Sequence, residues 1–159
     1  MEDASLIFDR YARDSDVTRY MAWRRHENIG TTREFLKRCL SVWEVGSAFP
    51  YVVLLKEDDE LMGMIEIRVE KHRAEIGFVL AKQSWGNGYM TEAARAIVDW
   101  TIKQDGIFRV WALCDIENRA SARVLEKIGM QREGVLRRWS MSPNISEEPR
   151  DCYAYAKVR

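Results

Sequence analysis

Two glycines two residues apart, Gly86 and Gly88, stand between an apolar run ending at Leu80–Ala81 and a stretch of good helix formers opening at Tyr89. Inside a helix each glycine would cost about 1 kcal/mol relative to alanine. Just ahead of a helix the pair is more useful, because it frees the backbone to expose its N–H groups. The first helical turn already carries unpaired donors and partial positive charge. Strand, glycine turn and helix therefore make a seat for a phosphate. A plain tight turn is the competing reading. Two better-known phosphate loops are excluded: no Gly-Lys-Ser/Thr follows, and Gln83, Gly86 and Gly88 do not give G-x-G-x-x-G. The preceding strands also read as a meander instead of a βαβ unit.

That meander is visible as a change of period. "YVVLLK" (Tyr51–Lys56) is β-branched and apolar, and "EDDE" is a polar turn. "LMGMIEIRVE" alternates Met64, Glu66 and Arg68 against Ile65, Ile67 and Val69, and Ala74–Leu80 gives a third strand. Ahead of the meander, "SLIFDRYARD" predicts a short helix with Ile7, Tyr11 and Leu6 on one side. "TTREFLKRCLSVWEV" predicts a longer one, with Thr31 as N-cap, Glu34 at the capping-box spacing, and Phe35, Leu36, Cys39, Leu40 and Trp43 inward. Behind the glycines come a helix from Tyr89 to about Gln104 and a strand at Ile107–Cys114. A second helix follows, with Asn118 as N-cap and Gly129 as its stop, and then two closing strands. This order predicts an α+β layer structure with a mainly antiparallel sheet.

The chain of 159 residues, 47% of them hydrophobic, suits one domain spanning 1–159. Its 25 basic residues balance 25 acidic ones, which argues against a dedicated nucleic-acid binder. Arg123, Lys127, Arg137 and Arg138 make a local basic patch that reads first as solvated surface. Cys39, Cys114 and Cys152 are too scattered for a metal site or a disulfide framework, and with no leader or bilayer-length apolar run they predict a reduced, cytoplasmic protein.

"AEIGFVLAKQSWGNGYMTEA" resembles the acetyl-CoA motif of the Gcn5-related N-acetyltransferase (GNAT) superfamily, matched at Gln83, Gly86 and Gly88. "CDIENRASARVLEKIGMQREGVLRR" and "DRYARDSDVTRYMAW" resemble the RimJ/RimL-like branch of ribosomal-protein N-acetyltransferases. The resemblance implies the GNAT fold: a central sheet splayed in the middle and flanked by about four helices. It implies acetyl-CoA as cosubstrate, its diphosphate on Gln83, Ser84, Trp85, Gly86, Asn87, Gly88, Tyr89, Met90 and Thr91. The pantetheine arm would pair with Phe78, Val79 and Leu80, helped by Asn118. The acceptor would be a primary amine, either a peptide N-terminus or a small molecule, attacking directly in a ternary complex. A non-catalytic acyl-CoA-binding domain is the alternative. The family's usual first strand is missing here or truncated, since the chain opens almost at the helix, or else the coding start was assigned late; a bare sheet edge would be a liability for stability and for the formation of a homodimer.

A lysine-type ammonium must lose a proton at a cost of roughly 4–5 kcal/mol at neutral pH, and a carboxylate is the usual helper. Glu75 is the first expectation for that base and Glu66 the second, with an ion pair to Arg68 or Arg73 as the non-catalytic reading. The Val79 N–H is the expected donor to the thioester oxygen. Many members carry a tyrosine in the last helix as general acid; Leu125 stands there, and Ser121 is the nearest hydroxyl. Trp23 and the loop from Ser140 to Pro149 are expected to line the acceptor cleft.

Overall fold

The computed structural model of the protein describes residues 3–159. It opens with α1 (Ala4–Ile7), a π-helical turn (Phe8–Ala12), α2 (Ser15–Thr18) and α3 (Ile29–Val45). Three strands follow, β1 (Ala48–Leu54), β2 (Leu61–Glu70) and β3 (Arg73–Leu80), then a 3-10 turn (Lys82–Ser84) and α4 (Tyr89–Thr101). The chain closes through β4 (Arg109–Asp115), α5 (Arg119–Lys127), β5 (Gln131–Ser140) and β6 (Arg150–Val158). The six strands form one sheet in the order β1-β2-β3-β4-β6-β5. Among the described residues no strand precedes α1; Met1 and Glu2 lie outside them.

Every strand pair is antiparallel except β3–β4, which is parallel and short. Only Arg73, Ala74 and Glu75 of β3 pair, with Arg109, Val110 and Trp111 of β4. From Ile76 and Ala112 onward the two strands part, which is the predicted splay. Their N-terminal ends are held by burial: Ala74 and Val110 lie in the core between the sheet and α4–α5.

Two apolar layers flank the sheet. Ile65, Ile67, Ala74, Ile76, Val110 and Ala112 face α4 and α5, whose Ala94, Val98, Leu125 and Ile128 fill that layer. Met64 and Leu61 face the other way, against Ile7, Tyr11, Ala12 and Val17. Both faces of the first half of β2 are therefore covered, and only its last three residues are exposed.

Side-chain packing departs from the periodic reading at the front helices. Asn28, not Thr31, caps α3: its side chain accepts the Thr31 N–H at 3.2 Å. Leu6 and Leu40 point to solvent, Leu40 at 59% exposure, and Trp43 is only half covered, by the edges of Phe49 and Tyr51. The helix at the back follows expectation, with Asn118 Oδ1 accepting the Ser121 N–H at 3.1 Å and Gly129 at φ +84° after the last turn.

Candidate active site

The parting of β3 from β4 opens a cleft that widens into two adjoining cavities of about 640 and 250 Å³. Phe78, Val79, Asn118 and Ser121 belong to both. Val79 directs its carbonyl at β2, so closely that a Cβ on Gly63 would lie 2.2 Å from it. Because backbone groups alternate along a strand, those of Phe78 and Leu80 then face the cleft. The expected Val79 N–H donor is thus turned toward β2, and the cleft-facing donors are its neighbours. The Leu80 carbonyl accepts the Trp85 indole N–H at 2.8 Å, which pins the turn against the strand.

At the far end of the larger cavity lies the start of α4. Gly86 and Gly88 sit at φ +83° and +85°, the left-handed region that a side chain disfavours. A Cβ on either would meet no protein atom, so conformation and not crowding requires glycine there. No side chain caps α4, and its first intrahelical bond runs from the Glu92 N–H to the Gly88 carbonyl. The N–H groups before it are left for a ligand. Thr91 completes this end. Met90 lines it too, but its side chain is core at 3% exposure, so only its backbone serves. Gln83, Ser84, Asn87 and Tyr89, expected at the diphosphate, do not line the cavity. Asn87 instead ties the turn together, its Nδ2 donating to the Trp85 carbonyl at 3.2 Å.

The opposite wall carries charge that the sequence reading left as solvated surface. Arg119, Arg123 and Lys127 recur every fourth residue along α5 and all line the larger cavity. None of the three is in an ion pair among the described residues. Like charges at this spacing repel, and an anion against the face would relieve that repulsion. Arg137 and Arg138 are not part of it; Arg138 pairs with Glu148 at 3.3 Å.

The smaller cavity lies on the α1–α3 side of the cleft. Strand register puts Glu66 opposite Gly77 and Arg68 opposite Glu75 on one face. Arg68 reaches both carboxylates, Glu75 at 3.5 Å and Glu66 through its Nε. The expected ion-pair reading therefore holds for each. Glu66 Oε1 is the oxygen that Arg68 Nε meets, whereas the buried hydroxyl of Tyr11, which lines the same cavity, has no hydrogen bond. Burial raises the Tyr11 pKa, with Cys39 and Asp3 adding to it, so the phenol stays neutral. Trp23, Ser140 and Ser142 also line this cavity, as expected. Ser121 stands where the two cavities meet, and buried Leu125 occupies the position of the family tyrosine. Cys114 lines the wall as well, but burial, with Cys152, Asp115 and Glu126, pushes its thiol up to about 12, which leaves it unreactive.

A splayed sheet with a cation-bearing cavity at an uncapped helix start is the layout expected of an acyl-CoA-dependent transferase fold. The sequence profile described as "Acetyltransferase (GNAT) domain" matches residues 1–131. The chain belongs to the GNAT acetyltransferase family. It is 30% identical to the uncharacterized N-acetyltransferase YoaA of Bacillus subtilis, over 99% of this chain and 90% of that one. The RimL ribosomal L7/L12 α-N-protein acetyltransferase bound to coenzyme A superposes with a TM-score of 0.87 at 18% identity, over 99% of this chain and 89% of that one. The spermidine N-acetyltransferase of Vibrio cholerae, bound to coenzyme A and spermine, gives 0.81 at 16%, over 99% and 90%. At such identities the two structures share the fold alone. The protein is an N-acetyltransferase whose acyl donor is acetyl-CoA.

Proposed function

We propose that acetyl-CoA lies in the larger cavity and hands its acetyl group to a primary amine waiting in the smaller one. The observation that carries this is the continuity of the cleft: cleft-facing backbone of β3, a helix start without a side-chain cap, and unpaired cations opposite. The N–H groups from Gly86 to Thr91 take the diphosphate. Arg119, Arg123 and Lys127 meet the remaining phosphate charge. The pantetheine amides and the thioester oxygen bond to Phe78 and Leu80, and Asn118, its Oδ1 spent on the helix cap, offers its amide NH₂. Gln83 and Ser84 shape the turn without touching the ligand, and Asn87 and Tyr89 meet it through their backbone N–H groups alone.

Glu66 and Glu75 are the carboxylates that can take the ammonium proton. Ser121, at the meeting of the cavities, protonates or solvates the departing thiolate. Comparable folds act on protein N-termini and on spermidine, and both acceptor classes fit the general reaction. The domain spans 1–159. Among the described residues no helix is long and apolar enough to cross a membrane, and three free buried cysteines suit a reducing, cytoplasmic setting.

Release of coenzyme A thiol from acetyl-CoA, followed with a panel of primary amines and short peptides, tests the reading. One thiol should appear for each amine acetylated. A chain that binds acetyl-CoA but releases no thiol with any acceptor would be an acyl-CoA-binding domain instead.

A further inference from the structure

The larger cavity does not end at the start of α4. A groove of about 500 Å³ continues from it along one stripe of that helix, from Gly88 through Thr91 and Arg95 to Asp99. Gly88, Thr91 and Lys127 line both the cavity and the groove. The stripe recurs at three- and four-residue steps, so the groove follows α4 for roughly 16 Å.

Ion pairing sorts the charges along this path. Asp16 pairs with Lys82, Glu117 with Arg150 and Asp99 with Lys157, at 2.6, 2.8 and 2.6 Å. Arg95, Lys127 and Glu92, which also line the groove, form no ion pair among the described residues. Arg95 and Lys127 are neighbours, because an N–H of the Arg95 guanidinium donates to the Lys127 main-chain carbonyl. That bond closes the last turn of α5 and uses only one of the five guanidinium donors. It also fixes a second positive charge beside the lysine, with no carboxylate to neutralise either. Both residues are exposed, so the packing of the protein does not call for them.

Their place along α5 limits the anion they can meet. Asn118 and Ser121, at the start of α5, border both cavities, where the acetyl group changes hands. Lys127 lies at the other end of α5, beside the start of α4. An acyl donor with its thioester near Ser121 and its diphosphate at the α4 start sends what lies beyond the diphosphate into the groove. In coenzyme A that part is an adenosine whose ribose carries a 3′-phosphate, a monoester with a charge of about −1.5 to −2 at pH 7. Backbone N–H groups at the helix start suit the diphosphate. The monoester needs side-chain partners, and Arg95 and Lys127 stand on its side. Glu92 opposes a bare anion there but accepts from a ribose hydroxyl or the adenine amine, so the groove suits a phosphorylated nucleoside better than inorganic phosphate.

Building on the acetyl-transfer reading above, we propose that Arg95 and Lys127 form a seat for the 3′-phosphate of the acyl donor and make the enzyme discriminate coenzyme A from its 3′-dephospho form. Arg119 lies at the acyl end of the same helix face and takes no part in this discrimination.

Coenzyme A and 3′-dephospho-coenzyme A are titrated by calorimetry into the full chain, Lys127→Ala, Arg95→Gln, the double variant and Arg119→Ala. Arg95→Gln removes the charge and keeps an amide that can bond the Lys127 carbonyl. The parent should bind coenzyme A about tenfold more tightly than the dephospho form, and added salt should narrow the ratio. Each single variant at Arg95 or Lys127 should weaken coenzyme A about threefold and leave the dephospho form within about twofold. The double variant should bind the two alike, whereas Arg119→Ala should leave their ratio at the parent's value. Equal Kd values in the parent overturn the proposal, as does a preference that survives in the double variant or is lost in Arg119→Ala; the acetyl-transfer reading stands in each case. Should the double variant melt early, Lys127→Ala decides, and an unchanged ratio overturns the proposal. A chain that binds neither ligand loses the acetyl-transfer reading as well.

Discussion

Gly88 holds a backbone angle of φ +85° at the exact place where α4 begins, and that one torsion aims the N–H groups of the next residues at the larger cavity. Alanine there costs about 1–2 kcal/mol of local strain. Gly88→Ala should therefore raise the acetyl-CoA KM by about tenfold or more while shifting Tm only a few degrees, read by steady-state kinetics and thermal melts. A KM left unchanged would remove the α4 start from the cosubstrate site. Ser121→Ala should lower kcat with both KM values unmoved if the hydroxyl assists the thiolate; unchanged turnover takes it out of the mechanism. The glycines were legible in the sequence because a positive φ needs them. Tyr11 was legible only as core, at the helical spacing from Ile7. That its hydroxyl lacks a partner depends on every side chain around it, and no local pattern encodes this. Arg119, Arg123 and Lys127 are spaced regularly enough to be seen as one face, but only the fold shows that the face borders a cavity.

Elements are joined near the site by two buried polar contacts, and each has a consequence. His26 is buried beside α3, its Nδ1 2.8 Å from the Thr32 hydroxyl, and burial lowers its pKa from 6.5, with Arg38 adding to the effect. A depressed histidine is a proton sink only when unfolded, so stability is present above pH 6.5 and falls as pH drops below it. Tm should decline across that window, and His26→Gln should flatten the decline. Equal slopes in the two proteins would assign it to other groups. At the back, Arg150 on β6 grips Asp115 at the end of β4, at 2.5 and 3.2 Å, and Glu117 at 2.8 Å. Asp115 is buried, so Arg150→Ala should cost about 3–5 kcal/mol, seen in denaturant melts. It should also raise the acetyl-CoA KM, because Asn118 N–H bonds the Asp115 carbonyl at 2.9 Å and moves with it. The elements themselves were legible from period and caps: strand alternation in β2, Asn118 and Gly129 around α5. The exception was the start of α3: the helix begins at Ile29, so Asn28 is its N-cap and Thr31 already lies in the first turn.

For the molecule as a whole, the sheet is two antiparallel halves, β1-β2-β3 and β4-β6-β5, and the pairing that joins them stops after three residues on each strand. The halves stay together through α4 and α5, which share one apolar layer beneath both, while the opposite half of the interface is left to solvent or ligand. The backbone of Ile76–Leu80 and Ala112–Asp115 beyond the last pair has no neighbouring strand across the cleft. An extended ligand that bonds to it acts as the absent strand and couples the halves. At 100 times its Kd, acetyl-CoA should stabilise the fold by about 2.7 kcal/mol, or a Tm rise of about 5–10 °C for a chain of this size. The protection should be uneven. Amide exchange should slow most at Phe78 and Leu80 and at Gly86 to Thr91, and little in β1 or β5, whose pairing the ligand does not touch. Slowing spread evenly over the sheet would mean that the ligand stabilises only by mass action on global unfolding. Slowing absent from β3 would place it outside the cleft, and the splay would then be a packing feature of the fold with no part in holding the acyl donor.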